Sequence, residues 1–213
     1  MAASSISAVA FDFDGVLADS VPIKDQALQQ LFDQYGPTIQ EKALSAWENS
    51  RGVFRDQRIA RVFQETTGER LSPADLAYQV NRYQSLVKAK TIACPWIPGA
   101  REFFAAAPQH PCYVVSAAPQ EEVREVVAAR GMTGLFKGVY GGPVKKALTL
   151  KAILDQESIP PEKLLFLGDS ISDYQAALSS GCGFLGIVAP NRANPFPLEL
   201  ETAPDLTSLQ DWL

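Results

Sequence analysis

The sequence predicts an α/β fold, a parallel sheet with helices on both faces and a block of helices inserted after the first strand. Three observations carry this expectation. From Pro98 onward, short apolar runs alternate with segments of helical period. Between about Val21 and Lys90 the chain is polar and helical in period instead. Several of the apolar runs end in acidic or hydroxyl residues, and sites in open parallel sheets form at the carboxyl ends of strands.

The elements follow in order. Ile6 to Phe13 is short, apolar and rich in small or branched residues, as a buried strand should be. "VPIKDQALQQLFDQYG" places Ile23, Ala27, Leu28, Leu31 and Phe32 on one helical face and ends at Gly36-Pro37. "RDQRIARVFQETTG" is a second helix, stopping at Gly68. "SPADLAYQVNRYQSLVKA" is a third, with Ser72 as N-cap and Pro73 at the first helical position. Then come a helix in "PGAREFFAAA", a strand in "CYVVSA" and a helix in "PQEEVREVVAARG". A short strand "GVYGG", a helix "KKALTLKAILDQES" and a strand "KLLFLGDS" follow. The helix "ISDYQAALSSG" and the strand "GFLGIVA" complete the pattern. The expected division is a sheet domain from residues 1–18 and 92–213, with a helical domain from residues 19–91.

Bulk properties narrow the function classes. The chain has 213 residues, 46% apolar and 20% charged, enough for a real core without disulfides. A net charge of −5 argues against nucleic acid or an anionic membrane surface as partner, though not against a small anionic substrate at a local site. Cys94, Cys112 and Cys182 are odd in number and far apart, which suggests buried thiols in a reducing, cytoplasmic setting. The N-terminal stretch lacks a basic n-region, so no signal peptide is expected, and no run approaches the ~18 apolar residues of a membrane span. His110, the one histidine, reads as a loop residue, and Trp47 and Trp96 are placed near the domain boundary. A monomer is expected.

The chemistry stands at the strand ends. The first strand ends in Asp12 and Asp14, the second in Ser116, and the fourth in Gly168, Asp169 and Ser170 with Asp173 one turn on. Lys145 and Lys146 lie between the last two. Taken singly, each is as readily a turn, a cap or a solvated pair. Together, at ends the fold brings to one crevice, they suit Mg²⁺ and phosphate. Crowded carboxylates raise one another's pKa unless a cation joins them, and hard oxygen donors match Mg²⁺. Asp12 could attack phosphorus, Asp14 could serve the leaving oxygen and then water, and a lysine could offset the moving charge.

These residues resemble the haloacid dehalogenase superfamily. "DFDGVLADS" is similar to its first motif, "VVSAAP" to the second, "GGPVKK" to the lysine motif and "GDSISD" to the acidic fourth. The resemblance implies a Rossmann-like core with a helical cap and Mg²⁺ as cofactor. It implies Asp12 as nucleophile and Asp14 as general acid/base, with its carbonyl on the metal. Ser116 and the Ala117 amide would bind the phosphoryl group. Asp169 would ligate Mg²⁺ with Asp173 in or just behind its shell. Lys146, three after the proline, would be the motif lysine, with Lys145 as runner-up. Keeping Asp14 favours phosphate esters, because the dehalogenase and phosphonatase branches lack that residue. In the cap, Lys24 stands where sugar phosphate mutases carry a histidine that approaches the acid/base Asp. Arg55 stands where those mutases have an arginine that grips a non-reacting anionic group. On that reading Arg55→Ala raises KM more than it lowers kcat. Arg51 and Arg58 are spaced to share its helical face if the helix starts early enough. The expected activity is Mg²⁺-dependent hydrolysis of a small phosphorylated metabolite. The alternatives are a sugar phosphate mutase and a non-catalytic ligand-binding module.

Overall fold

In the computed structural model, residues 6–213 are described, so the first five residues of the expected sheet domain and of the N-terminal stretch lie outside them. Six strands, β1 (Ala8–Phe11), β2 (Cys112–Pro119), β3 (Gly138–Gly142), β4 (Leu164–Gly168), β5 (Gly183–Ile187) and β6 (Thr202–Ala203), form one parallel sheet. Their order is β3-β2-β1-β4-β5-β6. The chain builds outward from β1 to β3 on one side, then crosses to β4 on the other. The crevice between the ends of β1 and β4 is therefore the switch point where such sheets bind ligands.

The period-2 alternation of the strands divides the core. Val9, Phe11, Val114, Leu165 and Leu167 face helices α5 (Ala100–Ala105) and α6 (Gln120–Ala129) and the C-terminal segment. Ala8, Ala10, Tyr113, Leu164 and Phe166 face α7 (Lys146–Glu157) and α8 (Ile171–Ser180). Both faces are covered, which is why the strands read as continuous apolar runs.

Between β1 and α5 lie four α-helices, α1 (Val21–Leu31), α2 (Pro37–Glu48), α3 (Arg55–Thr67) and α4 (Pro73–Ala93). They enclose a hydrophobic core of their own, where Phe32 stacks on Phe63 at 4.3 Å and Trp47 meets Tyr83 at 5.3 Å. Pro37, which closes the first helix in sequence terms, also opens α2, with Pro at the first helical turn. The Ser72 side chain caps α4 by accepting the Asp75 N–H at 3.2 Å, as the sequence implies. The Gly68 cap of α3 is left-handed, also as expected.

Two linkers join the insert to the sheet and run side by side. Ala18 bridges Trp96, the Ile97 N–H donates to the Leu17 carbonyl at 3.0 Å, and the Asp19 N–H donates to the Pro95 carbonyl at 3.0 Å. Arg130, just past α6, steadies the return path by donating from Nη1 to the carbonyls of Thr91, Ile92 and Cys94 at 2.8–3.0 Å. All three cysteines are free thiols. Among the described residues, no helix is long and apolar enough to cross a membrane.

Candidate active site

Asp12 and Asp14 leave the end of β1. The Asp12 N–H donates to the Leu167 carbonyl of β4 at 2.8 Å, tying the two strand ends together. Gly15, at φ +80°, turns the chain away; a Cβ there would sit 2.4 Å from Asp169 Oδ2. Glycine is thus what lets the first loop pass against the fourth.

Lys146 opens α7 and buries its ammonium among the acids. Its Nζ lies 2.9 Å from Asp12 Oδ1 and 2.6 Å from Asp173 Oδ1. Lys145 is exposed, so the lysine that reaches the carboxylates is Lys146. Asp12 Oδ1 also accepts the Phe13 N–H at 2.7 Å. Asp173 is fully buried, and its Oδ2 accepts the Ser170 N–H and Oγ–H at 3.2 and 2.6 Å, a capping box that starts α8. Both its oxygens therefore have partners, one set building the helix and the other holding Lys146.

Asp14 accepts the Ser20 Oγ–H at 2.5 Å through Oδ1 and pairs with Lys24 of α1 through Oδ2. Lys24 thus reaches Asp14. Ser116 is buried, its Oγ accepting the Ala118 N–H at 3.1 Å, while Ala117 and Ala118 form cavity wall.

The helical insert covers the strand ends, and residues of both line a partly open cavity of about 80 Å³. Helix α3 starts at Arg55, so Arg51 comes from the preceding turn and not from the same helical face. Nonetheless Arg51, Arg55 and Arg58 all line this cavity. Arg51 Nη1 bonds Asp169 Oδ2 at 2.6 Å. Arg55 makes a two-pronged pair with Glu122 of α6, at 2.6 and 2.5 Å, with both side chains buried. Nothing in the local pattern marks Glu122, because a lone Glu in a helix 67 positions away looks solvated. Arg58 sits over the Trp47 ring, its Cζ 3.4 Å from the centroid, and donates from Nε and Nη2 to the Trp47 carbonyl at 3.2 and 2.5 Å. Tyr83 of α4 completes this wall. Nothing in the sequence separates it from an ordinary core aromatic.

The electrostatics follow from burial. Desolvation pushes Asp12 up to about 7, with Lys146 opposing and Asp173 and Asp14 adding. Desolvation pushes Asp169 up to about 8, with Arg51 opposing and Asp12 and Asp173 adding. Burial would also raise Asp14, but Lys24 and Ser20 outweigh it and hold the carboxyl low. Burial would depress Lys146, yet Asp12 and Asp173 more than compensate and raise it. Carboxylate oxygens of Asp12, Asp169 and Asp173 lie within 4.8 Å of one another. An all-oxygen donor set, with two members driven toward neutrality chiefly by burial, fits a small hard cation such as Mg²⁺.

Comparisons with known proteins agree with this arrangement. The family model described as haloacid dehalogenase-like hydrolase matches residues 9–187. A phosphoglycolate phosphatase of Pectobacterium atrosepticum is 28% identical over 193 residues, 86% of this chain and 81% of that protein. The solved structure of a predicted phosphoglycolate phosphatase from Haemophilus somnus superposes with TM-score 0.75 at 19% identity, covering 97% of both chains. A β-phosphoglucomutase from Clostridium difficile superposes with TM-score 0.75 at 17% identity, covering 97% of this chain and 96% of that one.

Proposed function

The chain belongs to the haloacid dehalogenase-like hydrolases, and on that premise we propose that it is a Mg²⁺-dependent phosphatase of small phosphorylated metabolites, working through an aspartyl-phosphate on Asp12. The observation that carries this reading is the Asp12–Lys146–Asp173 chain, with Asp12, Lys146 and Asp14 lining one cavity.

Asp12, Asp169 and the Asp14 carbonyl would hold Mg²⁺, with Asp173 behind them because its oxygens are already engaged. The bound cation supplies charge neutralisation for the phosphoryl oxygens and the crowded carboxylates. Lys146 and the Phe13 N–H fix the Asp12 carboxylate, so its attack on phosphorus needs no side-chain search. The P–O ester bond breaks as the new P–O bond to Asp12 forms, and Asp14 gives its proton to the departing oxygen. Lys24 keeps Asp14 ionised in the empty site, and an arriving phosphate anion raises that carboxyl and recruits the proton. Ser116 and the Ala117 amide steady the phosphoryl group. In the second step Asp14 takes a proton from water, the water oxygen bonds phosphorus, and Asp12 is released with inorganic phosphate.

Phosphoglycolate, the substrate named for the relatives, is the first candidate. A sugar phosphate mutase is the alternative reading, since a β-phosphoglucomutase is among the structures on which this chain superposes. The test is the product. Phosphoglycolate with Mg²⁺ should release inorganic phosphate, β-glucose 1-phosphate should yield no isomer, and Asp12→Asn should be inactive. Full activity in Asp12→Asn would sink the nucleophile assignment.

A further inference from the structure

The cavity wall carries five cations, and four have a carboxylate partner. Lys24 has Asp14, Arg51 has Asp169, Arg55 has Glu122, and Lys146 has Asp12 and Asp173. Asp25, the remaining acid of the wall, pairs outward with Arg192 at 2.9 Å. Arg58 has no carboxylate within 4.0 Å among the described residues. Burial pushes it down to about 10, which leaves it charged at neutral pH. Its Nε and Nη2 are fixed on the Trp47 carbonyl, its face is fixed on the Trp47 ring, and Nη1 has no hydrogen-bond partner among the described residues.

Tyr83 supplies an independent observation. The residue is 1% exposed, it lines the same cavity, and its hydroxyl has no hydrogen-bond partner among the described residues. Such a buried hydroxyl is costly unless something accepts from it. Burial raises its pKa, so it remains an O–H donor. A fixed guanidinium edge and an unused O–H donor on one wall together want an anionic acceptor with two oxygens.

We propose that Arg58 and Tyr83 form the subsite for the non-reacting end of the substrate and select a carboxylate there, held a short spacer away from the phosphate. This deepens the phosphatase reading and rests on it. It also moves the grip on a second anion from Arg55, whose charge Glu122 already matches, to Arg58.

The test compares phosphoglycolate with 2-hydroxyethyl phosphate, which has the same length but a neutral end. In the wild type, kcat/KM should favour phosphoglycolate. Arg58→Met and Tyr83→Phe should each lower that preference, by roughly 10- to 100-fold for Arg58 and several-fold for Tyr83, mainly through KM. A variant that merely folds badly lowers both substrates together and leaves the ratio unchanged, so it counts against the proposal only if Tyr83→Phe, which alters one oxygen, also leaves the ratio unchanged. Equal wild-type rates on both substrates would overturn the subsite and leave the phosphatase reading intact. Absence of phosphate release from either would overturn the phosphatase reading. Calorimetry with Asp12→Asn then separates the two, because phosphoglycolate binding that weakens in Asp12→Asn/Arg58→Met supports the subsite without turnover.

Discussion

Gly52 sits in the turn between α2 and α3, where the insert meets Ser172 of α8. Its φ is +78°, and a Cβ there would stand 1.7 Å from Ser172 Oγ and 2.4 Å from Ser172 Cβ on α8. Relaxed contact between such atoms is about 3.5–4.0 Å, so Gly52→Ala forces the turn back by roughly 2 Å. Arg51, the neighbouring residue, holds Asp169 at 2.6 Å and would be drawn out of bonding range. The left-handed backbone adds about 1–2 kcal/mol of strain. A shift of 1 Å in a positioned group can lower rate about 10²-fold, equivalent to ~2.7 kcal/mol on the barrier. The expected result is a loss of about two orders of magnitude in kcat/KM for phosphoglycolate, with a stability loss in urea of only about 1–2 kcal/mol. Ser172→Gly removes both clashing atoms and leaves only its Cα, 3.8 Å from the new methyl. The double variant should therefore return to within about tenfold of Ser172→Gly alone, one decade being ~1.4 kcal/mol of residual strain. Equal losses with and without Ser172→Gly would show that closure against α8 is not what Gly52 serves.

Three further outcomes follow from the buried charges. Asp12 and Asp169 are raised to about 7 and about 8, so the folded chain keeps protons that the unfolded chain gives up above about pH 4. Metal-free stability should accordingly fall as pH rises from about 4 to about 8 and then level off, and the stabilisation by Mg²⁺ in a thermal melt should grow across the same window; a pH-independent Mg²⁺ effect contradicts this. Lys146→Met leaves Asp12 and Asp173 facing each other and should cost about 3–5 kcal/mol in urea as well as activity, whereas Lys145→Met should change neither. Arg55→Met strands Glu122 and should likewise cost about 3–5 kcal/mol, with most of it recovered in Arg55→Met/Glu122→Leu; additive losses in that double-mutant cycle would refute the pairing.

Much of this molecule is legible in one sequence because its sheet is buried on both faces. That makes β1, β2, β4 and β5 continuous apolar runs, and it puts Asp12, Asp14 and Asp169 directly after them. Helix α2 is harder to read, since only Ala43 and Trp47 of its 12 residues are buried and its pattern is weak. Strand β6, Thr202–Ala203, is too short to leave a periodic signal. The insert's part of the site is the least legible. Arg51, Arg55 and Arg58 stand out as a group, but their partners are Asp169, Glu122 and Trp47, on three different elements. Which guanidinium stays uncommitted depends on tertiary packing that no local spacing encodes.

The paired linkers at Ala18 and Trp96 make the insert a plug-in module. Its entry and exit meet within one backbone hydrogen bond, from the Asp19 N–H to the Pro95 carbonyl. A chain that leaves and re-enters at one point does not disturb the strand order, so the backbone permits an insert of another length. The side chains set the limit: a replacement block must still meet Asp14, Asp169 and Glu122 as Lys24, Arg51 and Arg55 do. A graft at residues 19 and 95 therefore has to carry those three cations with it.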